Sequence, residues 1–190
     1  MTISLDPTTT ALVMIDLQRG ILGMDLAPYD SATILQKSLS LADRFRKAGG
    51  LVVPVHVAFG KDGRDAPCGL SDVGGRAALR QLPADWAEFA EGVVQEGDLV
   101  ILKQQWGAFT GTKLDSSLRR RGIKTIVLTG IATNFGVEST ARFAWELGYN
   151  VVIVEDSCTS FGKEVHDMAV NVVFPRIARV VTSDNLTLDA

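Results

Sequence analysis

Three places in the chain set reactive side chains at the abrupt end of an apolar run. Asp16 and Gln18 follow the run Ala11 to Ile15. Lys103 closes Leu99 to Leu102 and leads into Gln104-Gln105-Trp106-Gly107-Ala108-Phe109. Ile126 to Leu128 enters Thr129-Gly130-Ile131-Ala132-Thr133-Asn134-Phe135-Gly136-Val137-Glu138-Ser139-Thr140-Ala141-Arg142. A carboxylate and an ammonium held close together perturb each other's ionisation, and either can move a proton. A tight turn that opens a helix aims backbone N–H groups at the positive end of the helix dipole, where carbonyl oxygens and carboxylates are held. Each motif also has a plain structural use. Asp16 can cap a helix, an acid–amine pair can be a structural salt bridge, and the turn can be one more strand-to-helix connection.

The elements that must position these groups follow from period and punctuation. The short apolar runs read as strands buried on both faces, as parallel sheets use them. Leu51 to Val57 is another, with Pro54 unusual inside it and His56 near its end. Tyr149 to Glu155 and Val180-Val181 complete the set, with Asp156 to Ser160 read as a polar loop between them. Helices are expected over Ser31–Lys47, Thr112–Arg121 and Lys163–Val173, and from a cap at Thr133 or Asn134 to Gly148. Gly20 to Asp30 reads as a loop, and Gly60 to Glu96 as a long irregular region with short helices at Arg76–Leu82 and Pro83–Ala90. Cys68, Trp86 and Phe89 in that region could face a substrate or pack, and packing is the expectation.

Helix end, glycine, then strand recurs at Lys47-Ala48-Gly49-Gly50-Leu51-Val52, Arg121-Gly122-Ile123-Lys124-Thr125-Ile126 and Leu147-Gly148-Tyr149-Asn150-Val151-Val152. Helices alternating with apolar strands make a parallel sheet covered on both faces. Its carboxyl ends share one edge, so the acid, the amine and the turn meet in one pocket there.

With 190 residues the chain fits a single domain, residues 1–190, long enough to bury a full core. A net charge of -3 gives no case for nucleic acid or an anionic membrane as partner. The basic run Arg119-Arg120-Arg121 sits at an expected helix end, where it complements the dipole. Cys68 and Cys158 form no disulfide framework, and the N-terminus lacks a signal-peptide pattern, so a cytoplasmic protein is expected. There is no GxGxxG and no Walker-type loop, so no nucleotide cofactor is expected. His56 and His166 are the two histidines, and no metal site is predicted.

Ile15-Asp16-Leu17-Gln18, a lysine closing a later strand, and Gly130-Ile131-Ala132-Thr133-Asn134 running into Glu138-Ser139-Thr140-Ala141-Arg142 resemble the isochorismatase-like (cysteine) hydrolases. The likeness runs from about Thr9 to Val181, and Lys103 to Phe109 with Gly136 to Thr140 is similar to a bacterial branch of that family. The resemblance implies a doubly wound, roughly six-stranded parallel sheet and a dimer or larger homo-oligomer. It puts the family's acid on Asp16, its lysine on Lys103 and a cis peptide between Ile131 and Ala132. A small-molecule substrate would then meet Gln18, Trp106, Phe109, Ile131, Ala132 and Phe135. Gly136 falls where the amidases of the family carry their nucleophilic cysteine, and glycine supplies no thiolate. Isochorismatases proper also show glycine there, so the resemblance implies vinyl-ether hydrolysis of isochorismate or a related compound, with Asp16 as proton donor. Two alternatives stay open: an amide or ester hydrolase with water activated by Asp16 and Lys103, and a small-molecule-binding protein without turnover.

Overall fold

The computed structural model describes residues 2–72 and 82–189. Its strands are β1 (Ile3–Leu5), β2 (Thr10–Ile15), β3 (Leu51–Val57), β4 (Ile101–Lys103), β5 (Thr125–Ile131), β6 (Asn150–Thr159), β7 (Arg179–Val181) and β8 (Leu186–Leu188). The described α-helices are α1 (Arg19–Leu22), α2 (Ser31–Lys47), α3 (Leu114–Arg120), α4 (Glu138–Glu146) and α5 (Lys163–Met168). Six strands form a parallel sheet in the order β4-β3-β2-β5-β6-β7, while β1 and β8 pair separately, Ile3 opposite Leu186. The chain steps outward from β2 through β3 to β4, then crosses back to lay β5 on the other flank of β2. The connections leaving β2 and β5 therefore diverge, and a crevice opens between them at the carboxyl ends.

β2 is buried along its whole length because it has a neighbour on each edge and a helical layer on each face. Ala11, Val13 and Ile15 pack with Leu114 and Leu118 of α3 and Ala141 and Ala144 of α4. Leu12 and Met14 face the opposite layer, with Ile34, Leu41 and Phe45 of α2. Each such apolar side chain contributes roughly 1.5–3 kcal/mol on burial. Asp30 caps α2, its carboxylate accepting from the Thr33 N–H at 2.8 Å.

Pro54 fits within β3 because of where its nitrogen faces. Val52 O accepts from Leu99 N–H on the β4 side, and Pro54, two residues on, faces the same way. The ladder with β4 begins only at Val55 opposite Ile101, so the missing proline N–H falls just before it.

Several boundaries differ from expectation. β5 runs on to Ile131 and β6 to Thr159, so Asp156 to Thr159 is strand and not loop. A register shift between Leu128 and Gly130 absorbs the irregularity and lets Cys158 and Thr159 pair with Gly130 and Ile131. Residues 83–90 form turns instead of a helix, because Trp86 O and Glu88 O accept from Gly20 and Arg19 N–H rather than from a helical ladder. One helical turn, α1, interrupts the loop expected from Gly20. The helix expected over Arg76–Leu82 lies, apart from Leu82, outside the described residues. Among the described residues no helix is long and apolar enough to cross a membrane.

Candidate active site

The floor of the crevice is set by the last residues of β2, β4 and β5. Asp16, one residue past β2, has φ 55, and its N–H donates to Val55 O at 2.9 Å. A positive φ is costly for most residues and tolerated by Asp, and such conformations cluster at functional sites. Lys103 ends β4, almost wholly buried, and its Nζ donates to Asp16 Oδ2 at 2.7 Å and to Gln105 O at 3.1 Å. The other carboxyl oxygen of Asp16, Oδ1, is buried without a hydrogen-bond partner. Burial disfavours the charged form and raises the Asp16 pKa from 3.8 to about 6, against the opposing pull of the Lys103 charge and hydrogen bond. The carboxyl is thus neutral in mildly acidic solution although an ammonium touches it.

The third part of the floor is the turn after β5. The Ile131–Ala132 peptide is cis, and residues Thr133–Val137 form a single π-helical turn that runs into α4. Gly130 has φ 115, and a Cβ there would lie 2.0 Å from Ile15 O, so only glycine lets β5 pass this close to β2. A Cβ on Gly136 would lie 3.3 Å from Asp16 Oδ2 and 3.4 Å from Ile131 O. Any side chain at Gly136 would therefore start against the Asp16–Lys103 pair.

Two details depart from the expected turn. Neither Thr133 nor Asn134 caps the helix. Thr133 Oγ1 is bonded to buried His166 Nδ1 at 2.8 Å, and Asn134 Oδ1 accepts from Ser160 Oγ at 2.5 Å, so both side chains brace the turn against α5 and the end of β6. Burial holds the His166 pKa below its ordinary value. Part of the expected donor cluster is also used internally, since Phe135 N–H and Val137 N–H both donate to Ala132 O.

Above the floor lies a cleft of about 1130 Å³. Asp16, Lys103, Gly136, Trp106, Ile131, Ala132 and Phe135 all line it, so seven of the expected site residues meet. Two do not line it. Gln18 is buried behind the cleft: its Nε2 donates to Val57 O and Trp86 O, both at 3.1 Å, and its Oε1 accepts from Val57 N–H at 2.9 Å. It therefore ties the turn holding Trp86 to β3. Phe109 packs in the core, 5.8 Å from the Tyr149 ring. Phe59, Ser139, Phe143 and Phe161 line the cleft without having been expected there, and Trp86, expected to pack, lines it too. Phe59 and Phe161 each lie two residues past a strand end, the same signal that marks Asp16, and Ser139 is one helical turn beyond Gly136. Trp86 sits over Gly20, where even a Cβ would fall within its ring.

Of the two thiols, Cys158 is buried in the core, where burial raises its pKa, and Cys68 is exposed on the cleft rim. Among the described residues no group of three or more His, Cys, Asp and Glu is placed to hold a metal ion.

The chain as a whole is similar to proteins of one family. The family profile of the isochorismatase domain matches residues 10–185. Over 184 residues the chain is 46% identical to the uncharacterized isochorismatase family protein YwoC of Bacillus subtilis, covering 96% of this chain and 95% of that one. Over 179 residues it is 45% identical to the uncharacterized isochorismatase family protein YecD of Escherichia coli, covering 94% of each. The structure of an isochorismatase family protein from Burkholderia thailandensis superposes with a TM-score of 0.92 at 43% identity, covering 98% of this chain and 97% of that one. N-carbamoylsarcosine amidase from Thermoplasma acidophilum superposes with a TM-score of 0.72 at 26% identity, covering 93% and 97%. With its doubly wound sheet, its crevice and these relatives, the chain belongs to the isochorismatase family.

Proposed function

We propose that the chain is a small-molecule hydrolase that works without a thiol nucleophile, with Asp16 as proton donor and the vinyl-ether bond of isochorismate or a related compound as its target. The observation that carries this reading is a carboxyl kept neutral to about pH 6 at the spot where Gly136 leaves no attacking group. The amidase likeness at 26% identity extends to the fold, but an amidase of the thiol type needs a thiolate beside the acid and the lysine.

Vinyl-ether cleavage needs an acid instead. Asp16 gives its proton to the terminal carbon of the enol, and the adjacent ether carbon becomes a cation. Water adds to that carbon, its proton returns to Asp16, and the hemiketal collapses to pyruvate and an alcohol. Lys103 has three N–H donors, of which Asp16 and Gln105 take two. The third is left for a substrate carboxylate, and the ammonium steadies the Asp16 anion formed in the first step.

Pyruvate release from isochorismate, coupled to lactate dehydrogenase, tests the proposal with wild type, Asp16→Asn and thiol-alkylated protein side by side. Turnover that survives alkylation and falls by about two orders of magnitude or more in Asp16→Asn is expected, the scale of a lost general acid. Turnover abolished by alkylation would return the chemistry to a thiol, with Cys68 on the rim as its source. Cleavage confined to amides or esters would make Asp16 and Lys103 activators of water.

A further inference from the structure

The walls of the cleft differ in kind from its floor. Phe59 and Trp86 stack with ring centroids 6.3 Å apart and planes 27° from parallel. Trp106 packs on Phe135 at 4.7 Å, and Phe135 on Phe161 at 6.2 Å. Both clusters line the one cleft, and among the described residues no ring of either stacks on a ring of the other. Trp106, although it packs on Phe135, keeps 62% of its surface exposed.

Charge is as sparse as ring surface is abundant. Among the described residues that line the cleft, Asp16 and Lys103 are the only charged ones, and they are bonded to each other. The Gln105 carboxamide is bound to Gly107 O and Thr110 O, at 3.0 and 2.8 Å. One Lys103 N–H therefore remains as the charged donor on the floor. Aromatic rings prefer offset or tilted stacking partners, while a carboxylate moved from water into an apolar wall without a cation is strongly disfavoured.

From this combination we infer that the cleft takes a substrate with a flat, largely apolar ring and a single carboxylate, the ring between the two aromatic walls and the carboxylate on Lys103. The inference rests on the cleft being the active site and not on which bond is cleaved there. Within the proposed enol-ether class it narrows the substrate to a related compound with one carboxylate, and isochorismate, which carries two, is the weaker-binding member of that class.

Calorimetric titration of the intact protein with a naphthoate, its fully hydrogenated counterpart and a naphthalene dicarboxylate separates the parts of the claim. The naphthoate should bind about tenfold more tightly than the puckered acid and than the dicarboxylate, an affinity ratio within the range of one good stacking contact or one unpaired charge. Trp106→Leu, a change at an exposed side chain, should weaken naphthoate binding about fivefold and leave the puckered acid nearly unchanged. Equal or tighter binding of the dicarboxylate overturns the single-charge claim. Equal binding of the puckered acid, indifference to Trp106→Leu, or no naphthoate binding overturns the flat-ring claim. Loss of the reaction reading would look different, with these preferences intact and no pyruvate released from any enol ether.

Discussion

Asp16→Asn removes the ionisable group of the floor while keeping its shape and an acceptor for Lys103. The wild-type carboxyl is raised from 3.8 to about 6, because burial penalises its anion more than Lys103 favours it. Two units at about 1.4 kcal/mol each come to about 3 kcal/mol. For an acid whose folded pKa lies above its unfolded one, the unfolded chain gives up the proton first as pH rises. The contribution of Asp16 to stability is therefore full below pH 3.8 and lost as pH climbs to about 6. Asparagine cannot ionise, so the variant escapes that loss. Urea unfolding of both proteins at about pH 4, where part of the loss has already occurred, and about pH 7 should show the difference, variant minus wild type, moving in the variant's favour by about 2 kcal/mol. Titrating groups remote from the Asp16–Lys103 pair are common to both proteins and cancel. A difference that stays constant with pH, or that moves toward wild type at pH 7, would refute the ordering of burial over ion pairing.

Two further substitutions test the turn. Gly130→Ala sets a methyl 2.0 Å from Ile15 O at a φ of 115, and should cost about 3 kcal/mol or more from overpacking and backbone strain together. Thermal unfolding measures it, and an unchanged Tm would mean that β5 does not approach β2 as described. Gly136→Cys brings its Cβ to 2.9 Å from Ile15 Cγ2 and 3.3 Å from Asp16 Oδ2, which should destabilise by about 1–3 kcal/mol. Its thiol, next to the Lys103 ammonium, should titrate well below the ordinary value of about 8.5, as read from alkylation rate against pH. An ordinary value would separate Gly136 from the charged pair.

The sheet was legible because β2, β3 and β5 are continuous apolar runs between glycine-marked helix ends, a pattern that needs no knowledge of neighbours. Asp16, Lys103 and Gly136 were legible for a related reason, since strand ends in a parallel sheet gather at one edge. What could not be read was where a side chain turns after the strand ends. Gln18 looks like Asp16 in sequence, yet its carboxamide meets backbone 39 and 68 residues away. Phe109 and Trp106 share one loop, but one is core and the other cleft wall. Thr133 and Asn134 have the chemistry of caps, but His166 and Ser160 compete for them from other elements. β1 and β8 are three residues each and gain their partner from opposite ends of the chain, so no local period announces them.

The central claim is that Asp16 delivers a proton, and the pH dependence of kcat/KM for pyruvate release tests it most directly. The free enzyme's essential acid sets a falling limb in such a profile. A fall of about tenfold per pH unit is expected above a midpoint near the Asp16 value of about 6. A rate that rises through the same range would make Asp16 a base, and would contradict the proton-donor mechanism.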